Sequence, residues 1–423
     1  MNWLIKSAFL VFPGHKYHRK EIDILISNGK IKEIGDKISA SSEAKVINAR
    51  DKFLFPGLVD FRADLCDPGL EHKETLNSGR DAAAAGGYTH VLVIPNTKPP
   101  VQTKNDVKYI LGGNDSSLVQ LYPMTGVSRD LEGEELTEML DLYTAGAKVF
   151  GDGDKPVWNT DILVKSLQYL QKVDALLVNR PCDQWLSKFG QMHEGVNSTR
   201  LGMKGIPVLA ETLMVRRDIE LLKYAGGKLH FSTISSKESV DLIAEAKNQG
   251  LNVSCDVAIH NLLYTDEENM MFDSNYKVDP PLRSEEDRKA LVKGVKEGII
   301  DCIVTDHHPH DPESKDLEYD LADFGVTGLQ TAISEVWKLK EEIEGDKIIE
   351  AMSLQPRKLM GLDEIKIEEG EVADLTLFDP EEIWEYNDET NKSNSKNHPR
   401  FGEKIKGKVK AVIFGNNIFQ DQN

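Results

Sequence analysis

The sequence predicts an α/β fold, a TIM-type (β/α)8 barrel that carries a small β-sandwich module formed from both termini. Eight short apolar runs alternate with helical stretches between residues 54 and 365, and runs of β character joined by tight turns occupy the two ends. Because alternating strands and helices favour a parallel sheet, and eight repeats favour its closure, we expect the barrel at residues 54–365. The halves of the module are expected at residues 1–53 and 366–423.

The N-terminal half of the module shows short apolar runs separated by turn residues. Asn28-Gly29 stands between two β-type runs and marks a hairpin. At the other end, residues 373–378 and 407–417 have the same character. Between these two runs lies the segment 387–398, rich in Asn, Lys, Ser and Glu, for which we expect an exposed loop; its composition fits order and disorder equally well.

The barrel strands are predicted from apolar runs bounded by turn or helix signals. Helical stretches at residues 218–225, 237–249 and 284–297 carry apolar residues at three-to-four-residue spacing. The strand candidates are the run that follows Leu54 and residues 91–94, 119–122, 147–150, 175–178, 228–231, 253–257 and 303–305.

Composition restricts the class of partner. The chain has 423 residues, enough for a barrel of about 250 residues and a smaller module. With 51 basic and 70 acidic residues its net charge is −19, which disfavours nucleic acid and membrane partners. Its apolar runs fall short of a membrane span and its start lacks a signal-peptide pattern, so we expect a cytoplasmic protein. Its four scattered cysteines are expected to be buried free thiols.

Residues 55–69 place polar side chains at the end of the first barrel strand, where such barrels keep their active sites. The segment resembles the first barrel strand of the cyclic amidohydrolases, and of the dihydroorotase family in particular, which reads Pro-Gly-x-x-Asp-x-His-x-His-x-Arg-x-Pro-Gly. Arg62 and Asp64 stand at the two histidine positions, and Cys66 stands at the arginine position. Further matches at residues 150–157, 300–310 and 395–399 extend the resemblance essentially from end to end.

The resemblance implies a two-metal centre with ligands from several strand ends. Asp152 and Asp306 keep carboxylates at their ligand positions. Four of the six ligand positions have changed in type, namely Arg62, Asp64, Asn179 and Thr233, and of these Arg62, Asn179 and Thr233 cannot replace histidine at zinc. We expect the Arg62 guanidinium to pair with Asp152 or Asp306 and to fill the empty metal position.

A site without metal is therefore the expected state. The alternative is a rearranged site for zinc, manganese or magnesium built from Asp64, Asp152 and Asp306, with a histidine such as His310. If the chain is active, the resemblance makes Asp306 the general acid/base.

Substrate positions of the family are partly kept. Asn96, His310 and the pair Phe324-Gly325 match residues that contact substrate in the family. Cys66 replaces an arginine that would bind the substrate carboxylate, and Asp279 replaces an asparagine. A carboxylate at residue 279 should repel an anionic substrate.

These changes predict a catalytically silent dihydroorotase homologue, a pseudoenzyme of pyrimidine biosynthesis. The resemblance implies retention as a structural partner, for example of aspartate carbamoyltransferase, and we also expect a homo-oligomer. The alternative is an active metal-dependent hydrolase of cyclic amides, either a dihydroorotase or an enzyme of the hydantoinase or allantoinase type. A third hypothesis, a small-molecule sensor, is supported by Asn96 and His310 alone.

Overall fold

Two large sheets organise the chain, and the computed structural model describes residues 2–39 and 44–421. Of the predicted module ranges, residues 1, 40–43, 422 and 423 lie outside the described residues. The strands are β1 (Asn2–Leu10), β2 (Glu21–Ser27), β3 (Lys30–Gly35), β4 (Ala44–Asn48), β5 (Phe53–Pro56), β6 (Leu58–Ala63), β7 (Tyr88–Val93), β8 (Gln120–Thr125), β9 (Val149–Phe150), β10 (Leu176–Asn179), β11 (Met192–His193), β12 (Gly205–Ile206), β13 (Leu229–Phe231), β14 (Val253–Ala258), β15 (Cys302–Val304), β16 (Asp374–Glu385), β17 (Lys404–Phe414) and β18 (Asn417–Gln420).

Helices follow most of the barrel strands. The α-helices are α1 (Leu76–Ala85), α2 (Lys104–Leu111), α3 (Met139–Ala145), α4 (Thr160–Leu170), α5 (Val196–Leu201), α6 (Val208–Ala225), α7 (Lys237–Asn248), α8 (Ile259–Leu263), α9 (Glu285–Glu297), α10 (Pro312–Lys315), α11 (Ala332–Val336), α12 (Gly345–Ile349) and α13 (Gln355–Leu359). Within the described residues, none of them is long and apolar enough to span a membrane.

The barrel is a ring of eight parallel strands in the order β6-β7-β8-β9-β10-β13-β14-β15. The ring is completed by a parallel bridge between Ala63 and His307, beside which the Asp64 amide donates to the His307 carbonyl at 2.8 Å. Buried side chains such as Val59, Phe61 and Leu92 fill the interior. The structure confirms the predicted barrel and places the carboxyl ends of all eight strands at one end.

The strands of the two termini join in one sheet, in the order β18-β17-β16-β5-β1-β2-β3 with β4 beside β1. Strand β5 connects the two halves because it pairs in parallel with β1 and antiparallel with β16. The predicted hairpin turn lies between β2 and β3, where Asn28 and Gly29 both have positive φ angles, as a two-residue hairpin turn requires. The prediction of a β-module built from both termini is confirmed.

Most predicted helix positions agree with the structure. α7 and α9 lie within a residue of their predicted bounds, and α9 begins after Ser284, whose side chain accepts a hydrogen bond from the Asp287 amide. The predicted helix 218–225 is the second half of α6, which begins ten residues earlier. Leu209 and Leu213 are exposed on the first turns of α6, so the apolar periodicity that identifies a helix is weak there.

The segment 387–398 differs from the exposed loop that its composition predicts. Asn397 is 5% exposed, and its side-chain amide donates to the carbonyl oxygens of His308 at 2.9 Å and Gly325 at 3.2 Å. Its side-chain oxygen accepts a hydrogen bond from the His310 amide. The polar side chains that suggest solvation instead bind buried backbone groups at the carboxyl end of the barrel.

Candidate active site

Four charged side chains form a cluster at the carboxyl ends of the barrel strands. Arg62, from β6, has a side chain with no exposed surface; its Nε donates to Asp306 Oδ1 at 2.6 Å, and its Nη2 donates to Asp154 Oδ1. His308 lies 3.0 Å from Asp154 Oδ1 through its Nε2 and 3.4 Å from Asp306 Oδ1 through its Nδ1. Each carboxylate therefore contacts both cationic side chains.

All four side chains of the cluster carry a charge, and these charges sum to zero. Burial alone would lower the pKa of His308, but the carboxylates of Asp154 and Asp306 outweigh it and raise the pKa to about 10. Burial opposes ionisation of both carboxyls, yet His308 and Arg62 hold the pKa of each below its usual range. Two cations thus balance two anions inside the barrel end.

A second histidine borders the cluster without joining it by hydrogen bonds. His260 Nε2 lies 3.8 Å from Asp306 Oδ2, and neither ring nitrogen has a hydrogen-bond partner within the described chain. Burial lowers the pKa of His260 to about 4, although Asp306 acts in the opposite direction. The imidazole is therefore neutral at physiological pH.

Asp152, one of the two expected partners of Arg62, does not pair with it. Its carboxylate accepts hydrogen bonds from the Val127 amide at 2.9 Å and from the Ser128 hydroxyl at 2.5 Å. Gly153 has a φ of 64°, and after this left-handed residue Asp154 is the carboxylate that reaches Arg62. Of the two partners expected for Arg62, Asp306 pairs with it and Asp152 does not.

The remaining predicted ligand positions bind the protein itself. The Asp64 carboxylate accepts a hydrogen bond from the Cys66 amide at 2.8 Å, and burial raises its pKa. The Asn179 side chain donates to Asp218 at 2.6 Å and accepts from the Val157 amide. Within the described chain the predicted set of Asp64, Asp152 and Asp306 does not form a metal-binding group.

Thr233 likewise faces the protein. Its hydroxyl donates to the Ser232 carbonyl at 2.9 Å, and its amide donates to Asp256. Thr233 and Asp306 both have left-handed φ angles, of 54° and 48°. Backbone strain of this kind is frequent at functional sites, and these two residues lie at the carboxyl end of the barrel.

The predicted substrate positions also lie around the cluster. Asn96 accepts a hydrogen bond from the Asp154 amide at 3.0 Å and donates to the Asp152 carbonyl at 3.3 Å. His310 Nε2 donates to the Phe324 carbonyl, and its Nδ1 lies 3.0 Å from Lys73 Nζ. Burial, with Lys73 contributing, lowers the pKa of His310 to about 4.

The other predicted substrate position, Gly325, is held by its backbone. Its amide donates to the Lys277 carbonyl at 2.9 Å, and its carbonyl accepts from Asn397 and Lys315. The carbonyl is therefore already occupied by groups of the protein.

Asp279, the carboxylate expected to repel an anionic substrate, is paired with a cation in the structure. It forms an ion pair with Arg180, whose Nη1 also donates to the Asp154 carbonyl at 3.0 Å. Cys66 stands where the family has an arginine; its thiol is buried, and burial raises its pKa, so it stays neutral. The site therefore offers no unpaired guanidinium to a substrate carboxylate at these positions.

The residues present do not fit the divalent metals that the resemblance implies. A metal between Asp306 and Asp154 would take the position of the Arg62 guanidinium and lie beside the His308 imidazolium, two cations in a buried site. Within residues 2–39 and 44–421, no three His, Cys, Asp or Glu side chains are arranged to hold a metal ion. The carboxylates of Asp154 and Asp306 are already paired with Arg62 and His308.

Sequence reasoning missed Asp154, His308 and Arg180 as members of the site. A signal for Asp154 was present, because a buried arginine at residue 62 requires carboxylates and Asp154 follows Asp152 across a glycine. His308 lies between two histidines after β15, and only the geometry shows which of the three faces the cluster. The pairing of Arg180 with Asp279 joins distant parts of the chain and leaves no local signal.

A buried lysine holds the loop that ends in Phe324 and Gly325, which predicts a pH dependence of stability. Lys315 is 4% exposed, and its ammonium donates to the carbonyls of Asp323 at 2.8 Å and Gly325 at 2.9 Å. Burial, together with Lys277, lowers its pKa from 10.5 to about 7. Between these two values the unfolded chain keeps a proton that the folded chain loses, so folding stability rises with pH.

We expect the free energy of unfolding, relative to a Lys315→Met variant, to rise between pH 7 and 10.5 by up to about 1.4 kcal/mol per pH unit. Urea unfolding of both proteins across this window measures the difference. The exposed Lys340→Met variant is the matched control and should give a curve parallel to wild type. If the unfolding free energies of wild type and Lys315→Met differed by the same amount at every pH, the prediction would be contradicted.

Two family models match the chain. The model described as Dihydro-orotase-like matches residues 51–239, and the model described as Amidohydrolase family matches residues 188–418. A dihydroorotase of Trichlorobacter lovleyi is 36% identical over 421 residues, which cover 99% of each chain. A dihydroorotase of Caldanaerobacter subterraneus is 38% identical over 429 residues, covering 100% of this chain and 98% of the relative.

Solved structures share the fold at lower identity. The L-hydantoinase (dihydropyrimidinase) of Arthrobacter aurescens matches with a TM-score of 0.86 at 23% identity and covers 99% of this chain and 96% of its own. The dihydropyrimidinase of Brevibacillus agri matches with a TM-score of 0.81 at 22% identity, covering 97% and 93%. Similarity at this level establishes the architecture, and the chemistry has to be inferred from the residues of the site.

Proposed function

Since this chain belongs to the dihydroorotase family of the amidohydrolases, we propose that it is a catalytically silent dihydroorotase homologue of pyrimidine biosynthesis. In this proposal it is retained as a structural partner and not for turnover. The observation that carries the proposal is the position of Arg62, whose fully buried guanidinium joins Asp306 and Asp154 at the carboxyl end of the barrel.

Arg62 affects both the metal position and the proton-transferring carboxylate on which the family's reaction depends. Metal-dependent hydrolysis of a cyclic amide needs a metal-activated hydroxide and a carboxylate that can move a proton. We infer that the guanidinium occupies the position of a metal. Burial opposes ionisation of Asp306, but His308 and Arg62 both pair with its carboxylate and together lower the pKa of that group. A carboxylate held in this way is a weak base, because protonation would break its pair with Arg62.

Substrate binding is weakened by the same set of changes. Dihydroorotate carries a carboxylate, and the family binds it with an arginine that Cys66 replaces in this chain. The nearest guanidinium outside the cluster, that of Arg180, is already paired with Asp279. Recruiting Arg180 to a substrate would leave the Asp279 carboxylate without its counter-charge.

The test is hydrolysis of dihydroorotate by the purified chain, with zinc, with manganese and with a chelator, beside an active dihydroorotase. We expect no turnover above the uncatalysed rate in any condition, and a melting temperature that neither metal nor chelator changes. Arg62 and His308 already neutralise the site, so a metal has no carboxylate pair left to stabilise. Turnover that the chelator abolishes would overturn the proposal in favour of a working amidohydrolase.

The structural role is tested separately. Some relatives of this kind are partners of aspartate carbamoyltransferase, and the resemblance makes that enzyme the first candidate. We expect the chain and the transferase of the same organism, expressed together, to elute as one complex from a sizing column. Separate elution at micromolar concentration would count against this partner and leave the catalytic proposal intact.

A further inference from the structure

A cavity of about 610 Å³ lies where the barrel meets the β-module, and its volume is within the range of small-molecule sites. One wall is the loop between β1 and β2, and the other is the segment that leads from the barrel to β16. Residues 12–15 and members of the segment 354–368 define this junction cavity. A ligand in the cavity would contact both parts of the chain.

The junction cavity lies at the amino end of the barrel. The Ser353 hydroxyl, from the π-helix Glu350–Leu354, donates to the Gly57 carbonyl at 2.8 Å, and Gly57 immediately precedes β6. Leu354, the next residue, lines the cavity. Since the candidate active site lies at the carboxyl ends of the strands, the two sites are at opposite ends of the barrel.

Apolar side chains form much of the cavity wall. The rings of Phe12 and His15 are stacked, with their centres 5.6 Å apart and their planes inclined by 14°. Leu354, Ile365 and Ile367 also line the cavity. A flat apolar group packs well against parallel ring faces. The wall therefore favours a ligand with a planar apolar body.

A buried guanidinium also lines the cavity, that of Arg357, which is 7% exposed. Its Nη2 donates to Asp374 at 2.5 Å, and its Nε is fully buried without a hydrogen-bond partner among the described residues. Its Nη1 has no partner there either, but it is not enclosed as Nε is. Nη1 therefore keeps two N–H donors for an acceptor in the cavity.

Exposed charges of both signs surround this guanidinium. Lys358 and Lys366 line the cavity, and neither forms an ion pair within the described parts of the chain. Glu364 and Glu368 are exposed lining residues of the opposite sign. Because solvent and salt screen exposed charges more than buried ones, the unpartnered Nη1 of Arg357 is the strongest polar determinant of the ligand.

We propose that the junction cavity binds an organic anion with a planar apolar body, whose carboxylate or phosphate accepts hydrogen bonds from Arg357 Nη1 and pairs with Lys358. Hydrogen bonds from a guanidinium to these anions are among the strong ones in proteins. Such a ligand would join the loop between β1 and β2 to the barrel and stabilise the folded chain by mass action. The inference does not depend on the catalytic proposal, because the two sites are at opposite ends of the barrel.

Isothermal titration calorimetry of the purified chain tests the proposal with three probes, 2-naphthoate, 2-naphthyl phosphate and the uncharged 2-naphthamide. We expect one anion to bind per chain, and the amide to bind at least ~10-fold more weakly than the better anion. The anion that binds more tightly identifies the charged group of the ligand. No binding of either anion at about 1 mM, or an amide that binds as tightly as the anions, would overturn the proposal.

Two variants test where the anion binds. Arg357→Lys keeps a cation beside Asp374 but removes Nη1, and Lys358→Glu reverses an exposed charge. Each should weaken binding of the better anion by ~10-fold or more. Lys188→Glu is the matched control, because Lys188 is an exposed lysine in the loop after β10, and this variant should bind as wild type does.

Circular dichroism melts verify that each variant folds. Lys358→Glu changes a surface position, so it decides the outcome if Arg357→Lys does not fold. Wild-type affinity in Lys358→Glu, or in folded Arg357→Lys, would place the probe elsewhere on the chain and overturn the proposal.

Discussion

Replacement of Arg62 by methionine is expected to lower the free energy of unfolding by about 3–5 kcal/mol, the cost of leaving buried charges without their partner. Asp306, whose side chain is 4% exposed, and Asp154, whose side chain is 31% exposed, would keep only His308 as a cation. Methionine has a similar length and fills the space without a charge. The loss is large against the ~5–15 kcal/mol that stabilises a typical domain.

Urea unfolding followed by circular dichroism measures this cost. Arg216→Met is the matched control, because Arg216 forms an exposed ion pair with Glu238 and its loss should cost at most ~1 kcal/mol. Adding Asp306→Asn to Arg62→Met should recover part of the stability, since it removes one of the stranded charges. Equal stability of Arg62→Met and Arg216→Met would show that the cluster is not held by Arg62.

If the chain binds no metal, as proposed, the cluster would connect strand ends that metal ions connect in the family. In the family's frame the strand ends contribute ligands to two divalent cations, which hold those ends together. Here the Arg62 guanidinium, on β6, and the His308 imidazolium, after β15, contact Asp154, which follows β9, and Asp306, which follows β15. Side-chain cations thus connect three of those strand ends, and the residues that make the connection belong to the chain itself.

The fold was largely predictable because its signals are local. Apolar runs identify buried strands, and Asn28-Gly29 identifies a hairpin by the positive φ angles that the turn requires. The start of α6 was missed, since exposed Leu209 and Leu213 obscure its apolar face. The burial of the segment 387–398 was not predicted. Composition gives only the average polarity of a segment, whereas polar side chains can be buried when they form hydrogen bonds with the protein.

The candidate site was predictable in its backbone and only partly in its side chains. The changed ligand positions were visible in the sequence, which also predicted that Arg62 would pair with Asp152 or Asp306. The choice between Asp152 and Asp154 depended on the left-handed backbone conformation of Gly153, which lies between them. The ion pair of Arg180 with Asp279 depends on tertiary structure and had no sequence signal.

Replacement of Glu74 by alanine is expected to release the segment 387–398 from the barrel. Glu74 has no exposed surface, and its carboxylate accepts hydrogen bonds from the Ser393 hydroxyl and, at 3.1 Å, from the Asn394 amide. His307 Nε2 lies 3.4 Å from the same carboxylate; its Nδ1 accepts from the Gly328 amide, so Nε2 carries the proton. Alanine would leave three donors without an acceptor.

Each buried unsatisfied donor costs about 1–3 kcal/mol, so Glu74→Ala should lose ~3 kcal/mol or more of folding stability. Trypsin should then cut after Lys392 or Lys396 many times faster than in wild type, because local opening exposes the segment. Glu389→Ala, which removes an exposed carboxylate of the same segment, is the matched control and should change neither stability nor cleavage. Glu74→Gln keeps one acceptor oxygen, so its folding stability and its rate of cleavage should lie between those of wild type and Glu74→Ala. If Glu74→Ala resists trypsin as wild type does, the other bonds of the segment hold it in place, among them those of Asn397 to His308, His310 and Gly325.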